Sequence, residues 1–526
     1  MSLFSKLTPK PYFFLFIFQS IIVFGQQSEF IQGKLVDSKT KEPISFATIR
    51  IKNKSQGLIS NADGGFKIPT NIQNISDTLV VSSIGYISKN ILLSQLKSEQ
   101  VNVISLVQKI EELEEVVVTN TKKIKRYGAN IIVRLAIEKI PENHPFSPFS
   151  YVGYYRDYQI KDQSYINLNE AILEVFDKGF ESDDLQETKI KILEYKNNLD
   201  FPVDTIAAKP YNYVNRDKII SNNATLNGQG GNEYTLLRLH DALRNYRINT
   251  YDFVNRFNRN FIKNHRFKIL PSTSIDNIPL YTIGISKTQQ NIKVSGKIYI
   301  SKGDFKIYKM IYSVFDSSKP EDEEKNTTEK TSGKLLYEII IEYQERFEKM
   351  YPSYISFDNT FETSYPPKFF PEKVYVNQMQ KRFEIVLNKR PFSREALRKR
   401  NYSLWYYGTK LQIDSIRLLQ KNIYIYPKKR KLVFGTKLIS KQKKQSHRAI
   451  AIEIKNIRDL EGNLINQRES VSFHQYREFF VQELSIDTKA IRDSLFMIKT
   501  KPIFKSKSVI SPEILSNYWM NTPLKN

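Results

Sequence analysis

The sequence predicts a mainly β, α+β protein: an N-terminal β-sandwich, then an α+β body with an antiparallel meander sheet at its centre. Three observations carry that expectation. Between Gly33 and Ile68, short runs alternate apolar and polar residues and are separated by closely spaced turn formers. From Ile292 to Ser301 the alternation is strict, with Ile292, Val294, Gly296, Ile298 and Ile300 set against Lys293, Ser295, Lys297, Tyr299 and Ser301. Hydrophobic residues make up 40% and aromatic residues 13% of the 526-residue chain, a composition that fills packed cores.

In chain order, residues 1–25 read as a signal peptide. Lys6 and Lys10 supply positive charge, Pro11 to Phe24 is apolar apart from Tyr12, Gln19 and Ser20, and the small Gly25 precedes a polar Gln26-Gln27. The apolar run is short for a membrane span, and no later stretch is long enough for one. The expectation is an exported chain that begins near Gln26 and carries no transmembrane helix after cleavage, with an uncleaved anchor as the alternative.

Residues 26–108 form the predicted sandwich. Ile31, Gly33 and Leu35 alternate until Asp37-Ser38-Lys39-Thr40 breaks the run, and Pro43 opens the next strand. Ala47, Ile49 and Ile51 share a face, Asn61-Ala62-Asp63-Gly64-Gly65 turns the chain, and Phe66 and Ile68 resume the pattern. Leu79 to Ser83 and Val101 to Leu106 add two apolar strands. The set Gly33, Val36, Asp37, Thr40, Pro43, Ala47, Gly57, Asp63 to Phe66 and Ile84-Gly85-Tyr86 resembles the carboxypeptidase-regulatory-like domain, a transthyretin-like sandwich. That resemblance implies a non-catalytic module of Gram-negative envelope proteins, including the N-terminal extensions of TonB-dependent receptors. Glu112 to Thr119 looks like the join that follows the module in those receptors. The turn spacing also suggests that this domain folds alone.

Residues 109–127 read as a charged hinge. In a mixed α/β region at 128–264, Gly128 to Ile140 has helical spacing that Pro141 ends, and Tyr151 to Tyr158 and Tyr165 to Phe176 are aromatic strand candidates. The stretch 190–235 looks irregular, and Leu236 to Tyr246 looks helical. The meander is expected at 265–390. It resembles the curved open sheet of periplasmic lipoprotein carriers, whose concave face would bury aromatics or an acyl chain; a core filled by protein is the favoured reading of the two. Residues 391–526 read as a C-terminal α+β region, with a hairpin turn at Asp459 to Asn463 and with His474 to Leu484 as helix or strand. The closing aromatics Tyr518 and Trp519 can pin the terminus to the body.

Chemistry is scarcer than architecture. The chain has no cysteine, which excludes disulfides, thiolate zinc sites, cysteine nucleophiles and an acylated N-terminal cysteine. The net charge of +25 is spread along the chain, as a compositional bias towards lysine would spread it. Basic clusters at Lys122 to Arg126, Arg394 to Arg400, Lys428 to Lys431 and Lys441 to Arg448 match no nucleic-acid module, so specific nucleic-acid binding is not expected. Gly228 to Gly231 lacks the Lys-Ser/Thr of a phosphate loop and reads as a surface loop. The domain resemblance invites a peptidase reading, but none of His144, His240, His265, His447 and His474 begins the H-x-x-E that a metallocarboxypeptidase uses for zinc. His474 and Glu478 would share a helix face as a solvated contact, and His240-Asp241 reads as ordinary surface. No G-x-S-x-G elbow occurs, and Glu170, Glu233 and Asp241 are candidates for a carboxylate pair only in the sense that so many acids are present.

The reading is a non-enzymatic exported envelope protein acting in binding or assembly, in the periplasm, at the outer membrane or at the cell surface. Its expected partners are outer-membrane proteins or other envelope components. No catalytic, cofactor or metal residue is assigned. The alternatives are a secreted hydrolase without a familiar motif and a periplasmic hydrophobic-ligand carrier.

Overall fold

A computed structural model describes residues 30–52, 54, 57–70, 76–109, 127–161, 164–198, 200–215, 217–220, 230–247, 257, 260–318, 333–406, 409–428, 450–486, 496–505 and 518–523. The expected signal peptide, most of the hinge (110–126), Gly228 and Gln229, and the cluster Lys441 to Arg448 with His447 lie outside them.

The first domain sandwiches a three-stranded sheet against a four-stranded one. Its strands fall where alternation and turn formers put them: Phe30–Asp37, Thr48–Ile51, Gly57–Ile59, Gly65–Pro69, Thr78–Ser82, Lys89–Leu92 and Asn102–Leu106. Leu35, Ile49, Phe66, Val81 and Ile104 fill the interior. Phe30–Asp37 and Asn102–Leu106 pair in parallel, because the chain crosses from one sheet to the other before this pairing forms.

The motif residues hold the turns. Asp37 Oδ1 accepts from the N–H groups of Lys39 (2.7 Å) and Thr40 (2.9 Å), and Oδ2 accepts from Gln108 Nε2 (2.6 Å) and Tyr86 Oη (3.1 Å). Led by the Thr40 N–H, these donors hold the carboxyl down to about 2. Gly33 lies under the Phe66 ring, where a Cβ would stand 2.1 Å from Phe66 Cζ. Gly64 sits at φ 76° in the turn before Phe66, a conformation that disfavours a side chain.

The body is built on an eleven-stranded antiparallel sheet. In spatial order its long strands are Lys189–Asn197, Ser164–Asp177, Phe149–Lys161, Ser470–Ser485, Lys349–Ser364, Lys334–Arg346, Ile307–Asp316, Ile292–Ser301, Ile278–Gln289 and Arg266–Ile275. The short Lys218–Ile219 pairs with Lys349–Ser364. One face carries the main core, with Tyr155, Ile192, Ile283, Tyr312, Phe357 and Phe479 packed under the helices Ala129–Glu138, Glu233–Leu239 and Phe261–Asn264. The opposite face receives the N-terminal domain, where Phe46 and Ile59 meet Ile340, Tyr354 and Phe480.

Residues 518–523 lie between these two bodies. Tyr518 and Met520 pack on Val152, Tyr154, Ile172 and Leu193 of the sheet. Trp519, 5% exposed, belongs to the core of the N-terminal sandwich. The aromatics at the end of the chain therefore pin the first domain to the sheet, and the sandwich core is completed by a residue more than four hundred positions away.

Between Lys349–Ser364 and Ser470–Ser485 the chain leaves the large sheet. It forms a unit with its own core of Phe369, Phe383, Ile385, Leu404, Ile423 and Ile454, carried on one four-stranded and one three-stranded sheet. The sheet thus differs from the expected 265–390 meander. It already includes Phe149–Lys161; Pro371–Asn377 and Arg382–Leu387 belong to the inserted unit; and Ser470–Ser485 is a strand that returns to the centre. Alternation marks a strand without naming its partner, which is set by burial of its faces. The stretch from 190, expected to be irregular, begins with the strand Lys189–Asn197. The helix expected from Gly128 to Ile140 spans Ala129–Glu138; Pro141 sits in the first turn of the next helix, Ile140–Asn143, where its missing N–H has no partner to lose. Among the described residues no helix is long and apolar enough to cross a membrane, which says nothing of spanning by strands.

Candidate functional site

The two central strands, Phe149–Lys161 and Ser470–Ser485, are aromatic-rich and carry adjacent charges at mid-length: Arg156-Asp157 on one and Arg477-Glu478 on the other. Their antiparallel register sets Arg156 opposite Glu478 and Asp157 opposite Arg477. Successive strand residues point to opposite faces, so two arginine–acid pairs sit back to back in the middle of the sheet.

On the face towards the N-terminal domain the pair closes. Arg156 Nε bonds Glu478, and its Nη1 donates to Asn61 Oδ1 (2.6 Å) and Asn521 O (3.0 Å). One buried guanidinium thus joins the sheet, the first domain and the terminal segment. Asn521 adds bonds to the Lys67 N–H (3.1 Å), Ile59 O (3.0 Å) and Asn61 Oδ1 (3.0 Å). Gln482 Nε2 donates to Gly57 O (3.0 Å) and Trp519 O (2.8 Å). Glu170, fully buried nearby, accepts from Tyr154, from Asn198 Nδ2 (2.6 Å) and from Thr522 Oγ1 (2.9 Å).

On the helix-covered face the pair does not close. Arg477 turns to Glu233, at the start of helix Glu233–Leu239, and to Asn359 Oδ1 (2.7 Å) and Tyr211 Oη (3.0 Å). Asp157 is left with Tyr155 Oη (2.7 Å) and Asn169 Nδ2 (3.2 Å). It lines a cavity of about 400 Å3 together with Lys218, Glu233, Asn169, Tyr195 and Gln475. Lys218, 1% exposed, donates to Ala207 O (2.8 Å) and lies over the rings of Phe361 (4.3 Å) and Tyr211 (4.7 Å). Burial, reinforced by the charge of Glu233, pushes the Asp157 carboxyl up to about 7. Burial pushes the Lys218 ammonium down to about 8.

A third buried cluster is structural. Arg244 grips Asp177 through Nε and Nη2, both at 2.9 Å, and Arg238 bonds Asp177 (2.9 Å) and Asp184. These contacts fasten the 233–247 segment to the sheet and use up the polar atoms that bring it there. A larger concavity, of about 860 Å3, opens where the first domain meets the sheet and includes Arg50, Lys52, Glu345 and Arg346.

The candidates named from sequence do not converge. Glu170 lies on the sheet face opposite Glu233, and Asp241 accepts from Tyr343 Oη (2.9 Å) and the Arg244 N–H (2.9 Å) within the structural cluster. His474 and Glu478 share a strand face, not a helix face. His240, expected at the surface, is buried; like His144 and His265 it places Nδ1 near the carbonyl four residues back, at 2.6, 3.1 and 2.9 Å respectively. Burial lowers His144 to about 3, and His240 and His265 to about 4. Among the described residues no three His, Asp or Glu side chains are grouped to hold a metal ion. Asp157, Lys218 and Arg477 were not singled out from sequence. The available signal was the charged dipeptide in the middle of each aromatic strand, because a charge flanked by strand aromatics is a charge that needs a buried partner.

Residues 31–118 match the CarboxypepD_reg-like domain family, the family that the motif residues of the first domain resemble. No curated protein matches the chain. Among solved structures, a LolA superfamily protein from Nitrosomonas europaea has 13% identity and a TM-score of 0.18, covering 44% of this chain and 86% of that one. A DUF1329 family protein from Desulfovibrio piger has 8% identity and a TM-score of 0.20, covering 44% and 87%. At these scores neither likeness bears on fold or function.

Proposed function

We propose that this is a non-enzymatic, exported envelope protein that acts in binding or assembly at the outer membrane or in the periplasm. The observation that carries the reading is the clamp on the first domain. Arg156, Asn521 and Trp519 fix that domain to the large sheet as one platform, where a tethered accessory module would hang free. The match of residues 31–118 to a CarboxypepD_reg-like domain and the apolar, basic-flanked stretch at 1–25 support the same reading. A platform whose parts are held by buried hydrogen bonds and apolar contacts presents surfaces in constant relative positions, as assembly requires.

Fractionating cells that make the protein, then cross-linking in the intact envelope, tests this. Recovery with the periplasm or outer membrane, joined reproducibly to an envelope partner, is the expected result. Recovery in the cytoplasm overturns it. A secreted hydrolase is the second reading, favoured by two carboxylates, Asp157 and Glu233, in one cavity. Turnover of a panel of esters, peptides and glycosides that disappears in Asp157→Asn would put the hydrolase first. The carrier reading has less support, since Tyr155, Tyr234, Phe261 and Phe357 fill the helix-covered face where an acyl chain would lie.

A further inference from the structure

We propose that the cavity lined by Asp157, Lys218 and Glu233 is a binding site for a small zwitterion of the amino-acid class, either a free amino acid or a dipeptide, with its carboxylate on Lys218 and its ammonium on Asp157 and Glu233. At about 400 Å3 the space falls within the range of small-ligand pockets. The charges argue for a zwitterion. Arg477 already answers Glu233; Lys218 and Asp157 feel the opposite charges around them, each other's included, but among the described residues neither is held in a close ion pair. Lys218 has three donors and spends one on a protein oxygen, Ala207 O; among the described residues it forms no ion pair. Among the described residues Asp157 receives neutral donors, Tyr155 and Asn169. Glu233 meets Arg477 through Oε2, and among the described residues no hydrogen bond engages its Oε1, which can take a ligand cation.

A ligand with one charge of each sign neutralises both loose ends and leaves the net charge of the site unchanged. A simple anion would leave Asp157 buried against a second negative group, and a simple cation would do the same to Lys218. Burial has moved Asp157 and Lys218 each towards its neutral form, and a zwitterion would move both back. The rim is mixed: Val203, 65% exposed, and Phe504, 60% exposed, offer an apolar seat for a ligand side chain beside Thr205 and Lys209.

This inference goes beyond the proposed envelope role and does not depend on where the protein resides. The test is calorimetric titration of the purified full chain with L-phenylalanine and L-alanyl-L-phenylalanine, against N-acetyl-L-phenylalaninamide and methyl glucoside as uncharged controls. The zwitterions should bind at least about tenfold more tightly than either control. Lys218→Met should weaken them by about tenfold or more. Val203→Trp, an exposed rim substitution that should leave the melting temperature unchanged, should block entry, and it decides the matter if Lys218→Met does not fold. No heat from either zwitterion at millimolar concentration, equal binding of the uncharged controls, or undiminished binding by Val203→Trp overturns the proposal.

Discussion

The two faces of the central strand pair carry the same chemistry and end differently. Arg156 and Asp157 are chain neighbours, as are Arg477 and Glu478, and register sets each arginine opposite an acid. On the clamp face Arg156 meets Glu478, and its Nη1 donors go to Asn61 and Asn521. On the cavity face Arg477 is drawn off to Glu233, and its cross-strand acid, Asp157, is left facing open space. A buried ion pair whose hydrogen bonds are all made within the protein is a structural joint. A pair in which one member has been diverted leaves a charged group whose best partner is absent, and such unmet demand marks a candidate site more clearly than charge density does.

The sharpest way to break the comparison is to remove the joint. Arg156→Ala strands Glu478 in the interior and should cost about 3–5 kcal/mol in denaturant unfolding. It should also make the first domain separately sensitive to protease; a loss below about 1 kcal/mol would mean that the pair is not closed. Trp519→Ala tests the same joint from its apolar side. Emptying the seat in the sandwich core should destabilise by about 3 kcal/mol, and the isolated 26–108 segment, which lacks this residue, should show the same deficit.

The cavity face should answer to pH instead. The folded carboxyl of Asp157 is raised from 3.8 to about 7, so between those values the folded chain keeps a proton that the unfolded chain has released. Wild-type stability from this group therefore falls as pH rises through that window and is lowest above about 7. Asp157→Asn should gain on wild type by about 2–4 kcal/mol between pH 4 and pH 8, measured as the difference of two denaturation curves. A pH-independent difference would remove Asp157 from the unpaired class. At the small end, Phe504→Ser on the exposed rim should change unfolding stability by less than about 0.5 kcal/mol.

The first domain was legible because its turns are local. Asp37 caps the turn at Lys39 and Thr40, and Gly64 takes φ 76° in the turn before Phe66, whereas Tyr86, Gln108 and the Phe66 ring reach Asp37 and Gly33 from farther along the chain. The large sheet was legible as strands but not as a sheet. Ile292 to Ser301 and Ser470 to Ser485 are both β-prone, yet one pairs with its chain neighbours while the other crosses an inserted unit to reach Phe149–Lys161. The cavity was not legible at all. Asp157, Lys218 and Glu233 come from a long strand, a two-residue strand and a helix start, and no spacing rule connects them.

By itself, then, the sequence determined the alternation that makes strands, the turns that need glycine and aspartate, and the absence of cysteine chemistry. Those are properties of neighbours along the chain, governed by backbone sterics and local hydrogen bonds. Only the tertiary structure decided that Trp519 completes the sandwich of the first domain, that Arg156 is satisfied, and that Asp157 and Lys218 share a cavity without an ion pair. Burial is a collective property: whether a charge is paired, hydrogen-bonded or left waiting depends on which distant segments exclude water from it, and no window of sequence contains all of them.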